Sequence, residues 1–331
     1  MKAVVYTEYG SPNVLHMREI DKPTPKDDEV LVRVRATAVN FGDTIARRMG
    51  KVSAREFNMP GPIWLIARMA FGWNKPKNGI LGSEFAGEIA EVGKSVTRFK
   101  VGDNVFGYRG QAQGANVEYL TMKQDGYIQP LPANMTVEEA ATVPYGALTA
   151  LSLLKQANLQ RGEKVLINGA SGSIGAAAMQ IAKAMGAEVT GTCSTPRMAA
   201  VKAYGADKVI DYTREDFTKG TETYDMIFDV LGRSQFERAK RVLKANGRMV
   251  YVSFKMKQVF QGLWTSRFGN KRVMCIMSND KAQDLEVVKA MVEADEIKAI
   301  IDRCYPLEQA ADAHRYAEST HKTGSVVLLH S

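Results

Sequence analysis

Val165-Leu166-Ile167-Asn168-Gly169-Ala170-Ser171-Gly172-Ser173-Ile174-Gly175 is a short β-branched apolar run that stops at a cluster of small residues. A helix-favouring run, Ala176-Ala177-Ala178-Met179-Gln180-Ile181-Ala182, follows at once. The pattern predicts a strand, a tight turn and a helix. Such a turn leaves backbone N–H groups free at a helix N-terminus, where they and the helix dipole attract a phosphate anion. Gly169, Gly172 and Gly175 give the spacing G-x-x-G-x-x-G, a variant of the dinucleotide fingerprint. A Cβ there blocks a pyrophosphate, or holds the helix off the strand. Ser171, Ser173 and Ile174 complete the cradle. Three glycines alone are a weak signal; between a strand and a helix they are a stronger one.

The chain around this turn has 331 residues, enough for two domains, and its 45% apolar and 24% charged residues are an ordinary globular mixture. No apolar run approaches the roughly 18 residues of a membrane span. Met1-Lys2-Ala3-Val4-Val5-Tyr6 passes straight into a strand pattern, with no signal peptide expected. Cys193, Cys275 and Cys304 are scattered, which suits a reducing, cytoplasmic setting and cannot make a four-cysteine zinc lobe. The net charge of +8 is concentrated in two stretches. Residues 41–80 carry seven Lys/Arg against Asp43 and Glu56, and 254–275 carry five with no acid. Trp64, Trp73 and Trp264 lie in the same two stretches. No nucleic-acid motif accompanies the charge, so a nucleic-acid partner is not expected.

Residues 1–128 read as mostly β, with Val30, Val32, Val34 and Ala36 alternating against Leu31, Arg33 and Arg35. After Pro132 the texture changes. Thr136-Val137-Glu138-Glu139 is a capping box that opens a helical stretch to about Gln156, interrupted at Pro144. Strands are then predicted at 165–168, 188–193, 208–211, 224–229, 248–252 and 273–277, with helices between them. That alternation implies an α/β fold, a doubly wound parallel sheet. Helices near 281–294 and 307–318 and a last strand at 325–329 close the chain.

Val92-Gly93 followed by Val101-Gly102-Asp103, the nucleotide turn, and Gly205-Ala206-Asp207 followed by Val209-Ile210-Asp211-Tyr212 resemble the medium-chain dehydrogenase/reductase superfamily. Within it the chain looks like the zinc-free, quinone oxidoreductase-like branch. The resemblance implies a GroES-like catalytic domain from 1–128 and 290–331, with a Rossmann domain, 129–289, inserted. It also implies an interdomain cleft and a homodimer.

Zinc-dependent relatives hold their metal with a Cys near position 40, a Gly-His-Glu motif and a later Cys. Here those places read Val39-Asn40-Phe41-Gly42-Asp43, Gly82-Ser83-Glu84 and Tyr145-Gly146. Asp43 and Glu84 alone are a poor tetrahedral set, so no metal is expected. At the end of the second nucleotide strand an NAD-binding acid is missing. Thr192-Cys193-Ser194-Thr195-Pro196-Arg197 stands there instead, and Ser194 and Arg197 suit a 2′-phosphate, hence NADPH. The resemblance adds Tyr212, Val230, Ser253 and Lys322 to the cofactor contacts; the relatives' Arg falls at Thr320, two residues before Lys322.

In the relatives an Asn at the position of Asn40 contacts the nicotinamide ribose. Many also carry a Tyr two residues after the Asp, where this chain has Ile45. Tyr145 is therefore the candidate proton donor. Asp43 is a further candidate, although its i,i+4 spacing to Arg47 predicts a surface ion pair. Phe41, Trp64, Trp73 and Trp264 are expected to form an apolar mouth rimmed by cations, for a small electrophile such as a quinone or an α,β-unsaturated carbonyl. An enoyl-thioester reductase and a non-catalytic NADPH-binding protein are the alternatives.

Overall fold

The computed structural model describes residues 1–319 and 321–330. Thr320 lies outside the described residues.

Six strands, Lys164–Asn168, Glu188–Cys193, Lys208–Asp211, Tyr224–Asp229, Leu243–Tyr251 and Arg272–Cys275, form one all-parallel sheet. Their spatial order is third, second, first, fourth, fifth, sixth, the doubly wound Rossmann order, whose switch point falls beside the first strand. Buried apolar side chains fill these strands on both faces, as a helix-covered parallel sheet requires. The helix Ser173–Ala184 turns Ala176, Ala177, Ala178 and Met179 into the core, and small residues let it lie close to the helix Pro144–Gln156. The fifth strand starts earlier than its sequence suggests. Leu243 pairs with Tyr224, the chain then bulges through Asn246 at φ 63°, and regular pairing resumes at Arg248.

A second sheet has seven strands and draws on both chain ends. Glu29–Ala38 pairs antiparallel with Glu84–Val92 and Tyr119–Lys123 on the N-terminal side and with Ser325–Leu329 from the far end. Ile301–Pro306 lies parallel to Ser325–Leu329 at the edge. The helix Asp284–Glu293, which buries Leu285, Val288 and Val292 against the nucleotide-domain core, is the last element before the chain crosses back. Among the described residues no helix is long and apolar enough to cross a membrane.

Contacts from residues 55–58 are among those that tie the halves together. Lys255 donates to the carbonyls of Arg55 and Phe57, and Asn58 Nδ2 donates to the Leu231 carbonyl at 3.0 Å.

Candidate functional site

The three glycines of the cradle do different things. Gly169 turns the chain at φ 91°, a conformation strained for any side chain. Gly175 is the point of closest approach, since a Cβ there meets the Gly169 carbonyl oxygen at 2.2 Å. Gly172 is the helix N-cap, has ordinary extended backbone, and a Cβ would find nothing nearer than 3.8 Å. No side chain caps this helix. Its first turn, with exposed Gly172 and half-buried Ser171, Ser173 and Ile174, opens to the solvent at the carboxyl end of the sheet. A phosphate fits that space: it is what the uncapped amides and the helix dipole lack.

Polar residues end the strands around it. Asn168 donates to Asp229 Oδ1 at 3.0 Å and to Ser234 Oγ at 3.0 Å, and accepts from Thr192 Oγ1 at 2.7 Å. Asp229, fully buried, also accepts from the amides of Leu231, Gly232 and Ser234. This lattice fixes the turn that begins at Val230. Ser253 follows the fifth strand, its carbonyl 2.0 Å from where a Cβ on Gly232 would stand. Sequence reasoning missed Asn168, Thr192 and Asp229 as site residues, although Asn168 and Asp229 are each the polar residue at the end of an apolar run.

At the second strand end, Arg197 Nε donates to the Lys322 carbonyl at 2.9 Å. Burial, then the charge of Arg197, holds the Lys322 ammonium below its usual range. Two cations 125 residues apart in the sequence are thus held together beside Ser194, an arrangement that suits a dianion. Asp211, at the end of the third strand, keeps its carboxylate turned inward onto Thr195 and Thr213. Tyr212, next to it, is 54% exposed and free to meet a ligand.

On the other wall of the cleft, Asn40 caps the helix Phe41–Arg48. Its Oδ1 accepts from the Asp43 amide at 3.2 Å, and its own amide donates to Asp43 Oδ2 at 2.9 Å. Asn40 Nδ2 donates to Ser83 Oγ at 2.6 Å and is 3.5 Å from Glu84 Oε1. Asn40 is 2% exposed, so both ends of its side chain are held inside the protein. Glu84 Oε2 accepts from the Tyr145 amide at 2.8 Å. Asp43 also accepts from the Gly82 amide at 3.3 Å. Burial pushes the Asp43 carboxyl up to about 7 and the Glu84 carboxyl up to about 8, the amide donors only partly offsetting it.

The surface pair expected for Asp43 does not form. Arg47 is fully buried and gives its guanidinium to Glu318, to His314 Nδ1 at 3.1 Å and to the Gly10 carbonyl at 3.2 Å. Asp43, 1% exposed, faces the site instead. The helical spacing was right and the direction wrong, because the helix turns Arg47 under the helix Ala310–Ala317.

Tyr145 is half-buried and stands 6.5 Å from Tyr108, ring centre to ring centre. Burial, then Asp43 and Glu84, holds its hydroxyl above the usual range, so it keeps its proton. Among the described residues no group of three or more His, Cys, Asp or Glu is placed to hold a metal ion.

The tryptophans divide. Trp64 and Trp73 meet edge to face at 6.2 Å around Arg68, and Trp64 Nε1 donates to the Val52 carbonyl. Trp264 packs on Phe268 and faces outward, 62% exposed; no ring contact joins it to the other two among the described residues. Phe41, at the first helical position, is 61% exposed.

Two family models match: the alcohol dehydrogenase GroES-like domain over residues 26–152 and the zinc-binding dehydrogenase over 204–328. A quinone oxidoreductase of Pseudomonas aeruginosa is 32% identical, over 99% of both chains. The NADPH-dependent alkenal/one oxidoreductase of the Arabidopsis thaliana chloroplast is 29% identical over 99% of this chain and 79% of that one. The solved quinone oxidoreductase of Coxiella burnetii superposes with a TM-score of 0.82 at 26% identity, over 99% of both. The chain belongs to the medium-chain dehydrogenase/reductase superfamily, as an oxidoreductase of its quinone oxidoreductase-like branch.

Proposed function

We propose that this protein is a zinc-independent, NADPH-dependent reductase of quinones or α,β-unsaturated carbonyls. The pairing of Arg197 with Lys322 beside Ser194, together with a site in which no three His, Cys, Asp or Glu come together among the described residues, carries the reading. NADPH, when bound, supplies the hydride. The chain's own residues supply everything else. The amides after Gly172 hold the pyrophosphate, and Ser194, Arg197, Tyr212 and Lys322 hold the 2′-phosphate. Val230 and Ser253 line the path between. Asn40, through Ser83, Asp43 and Glu84, is a positioning residue that keeps the opposite wall in one arrangement. Tyr145 offers a proton to the oxygen or carbon that becomes electron-rich.

The direct test is NADPH and NADH oxidation against quinones, enones, enoyl-CoA and aldehydes, with and without a chelator. Turnover of quinones or enones with NADPH, indifferent to the chelator, is expected; activity that disappears with chelation and returns with zinc overturns the reading.

Lys322→Ala removes one of two charge-assisted contacts, each worth roughly 1.5–3 kcal/mol. The KM for NADPH is expected to rise about 10- to 100-fold while that for NADH holds, and equal shifts for both cofactors rule out a 2′-phosphate role. Tyr145→Phe keeps the ring and deletes the proton. Enone turnover should fall about 100-fold, with the Kd for NADPH unchanged; full turnover dismisses the tyrosine.

A further inference from the structure

The two basic, tryptophan-bearing stretches form helices whose apolar faces point away from the protein. In the helix Gly61–Phe71 the inward residue is Arg68, 7% exposed, bonded to the carbonyls of Met49 and Trp73 and packed on two tryptophans. Leu65, Ile66 and Met69 consequently face out at 45%, 65% and 61% exposure, and Trp73 follows at 52%. The helix Met256–Thr265 does the same with Phe260, Leu263 and Trp264, each more than 60% exposed, and Phe268 beyond its end. These residues recur at three and four, the period of one helix face. A soluble protein rarely leaves two such stripes uncovered.

The stripes start from one place. Lys255, the cap of the second helix, reaches the carbonyls of Arg55 and Phe57, and Met59 packs into the cluster that holds Phe254 and Val259. Their charge is also of one sign. Residues 57–80 and 254–279 contain no Asp or Glu, and carry Arg68, Lys75, Lys77, Lys255, Lys257, Arg267, Lys271 and Arg272. Lys75, Lys77, Lys257, Arg267 and Arg272 are exposed.

We propose that this edge of the molecule docks on an anionic lipid surface, with the two apolar stripes in the headgroup layer and the cations on lipid phosphates. An outward apolar stripe flanked only by Lys, Arg and Trp is what an interfacial helix needs. A second copy fits the charge poorly, because a two-fold contact lays each patch on itself, cation against cation. The docking needs neither cofactor nor acceptor.

The test is flotation of the full chain with vesicles, without NADPH or acceptor. Vesicles of phosphatidylcholine alone are compared with vesicles holding about one third phosphatidylglycerol. Binding to the anionic vesicles is expected, at least ten-fold tighter than to the neutral ones, with a blue-shifted tryptophan emission and a loss in 0.5 M salt. The pair Ile66→Ser with Met69→Ser, and separately Phe260→Ser with Leu263→Ser, should each reduce partitioning at least ten-fold at unchanged Tm, since all four side chains are exposed. Failure to float with anionic vesicles overturns the proposal, as does equal binding to both compositions. Sedimentation velocity supplies the competing outcome: a dimer that these serine variants dissociate assigns the stripes to a second copy. Reductase activity is measured separately, so loss of docking and loss of the proposed chemistry remain distinguishable.

Discussion

Gly172→Asp is expected to fold normally and to lose NADPH almost completely. The position tolerates a side chain: its backbone is extended and the nearest atom to a new Cβ is 3.8 Å away. Aspartate is a preferred N-cap, so the melting temperature should hold or rise by a degree or two. The new carboxylate, however, takes the space of the pyrophosphate. At about 4 Å and an effective dielectric near 20, two like charges repel by about 4 kcal/mol, close to 1000-fold in Kd. Gly175→Val fails differently, because its side chain collides with the Gly169 carbonyl and should lower the melting temperature as well. Calorimetric titration with NADPH and a thermal melt separate the two. A Gly172→Asp protein that binds NADPH within ten-fold of the parent removes the phosphate from this turn.

Glu84→Gln is expected to change how stability depends on pH. Ordinary carboxyls lose their protons near pH 4, whereas burial holds the proton on Asp43 to about pH 7 and on Glu84 to about pH 8. Across that window the folded chain binds protons that the unfolded chain has released. Stability therefore falls as pH rises, by about 1.4 kcal/mol per pH unit for each proton involved. Glutamine keeps the shape and the acceptor for the Tyr145 amide but has no proton to lose. The variant should match the parent at pH 5 and be more stable at pH 8, by several degrees in Tm. Parallel melting curves from pH 5 to 8 would falsify the protonated state of Glu84.

Much of the fold can be read from the chain because the nucleotide domain obeys local rules. Its strands are apolar runs cut by glycine, and the last strand, 325–329, has the same limits in both readings. Polarity hid what lies at edges. Ile301–Pro306 carries Asp302 and Arg303 and pairs on one side only, so nothing in its pattern marks a strand. Periodicity likewise finds a helix face without saying which way it points. Arg47 and Arg68 are both buried here, each against its type's usual preference, and each reverses the direction of its helix. The Asn40 site was legible as residues and not as an arrangement. That Asp43 and Glu84 share it, with Glu84 within reach of the Lys322 charge from the far end of the chain, follows from tertiary packing alone.

The strand Ser325–Leu329 has a consequence for biogenesis. It completes a sheet whose central member, Glu29–Ala38, leaves the ribosome almost 300 residues earlier. The inserted nucleotide domain is continuous, so it can close while the chain is still growing. The first domain cannot. Its open edge must wait through most of translation, exposed to pairing with neighbouring nascent chains. Slow synthesis or a truncated C-terminus should therefore produce aggregates joined through that edge.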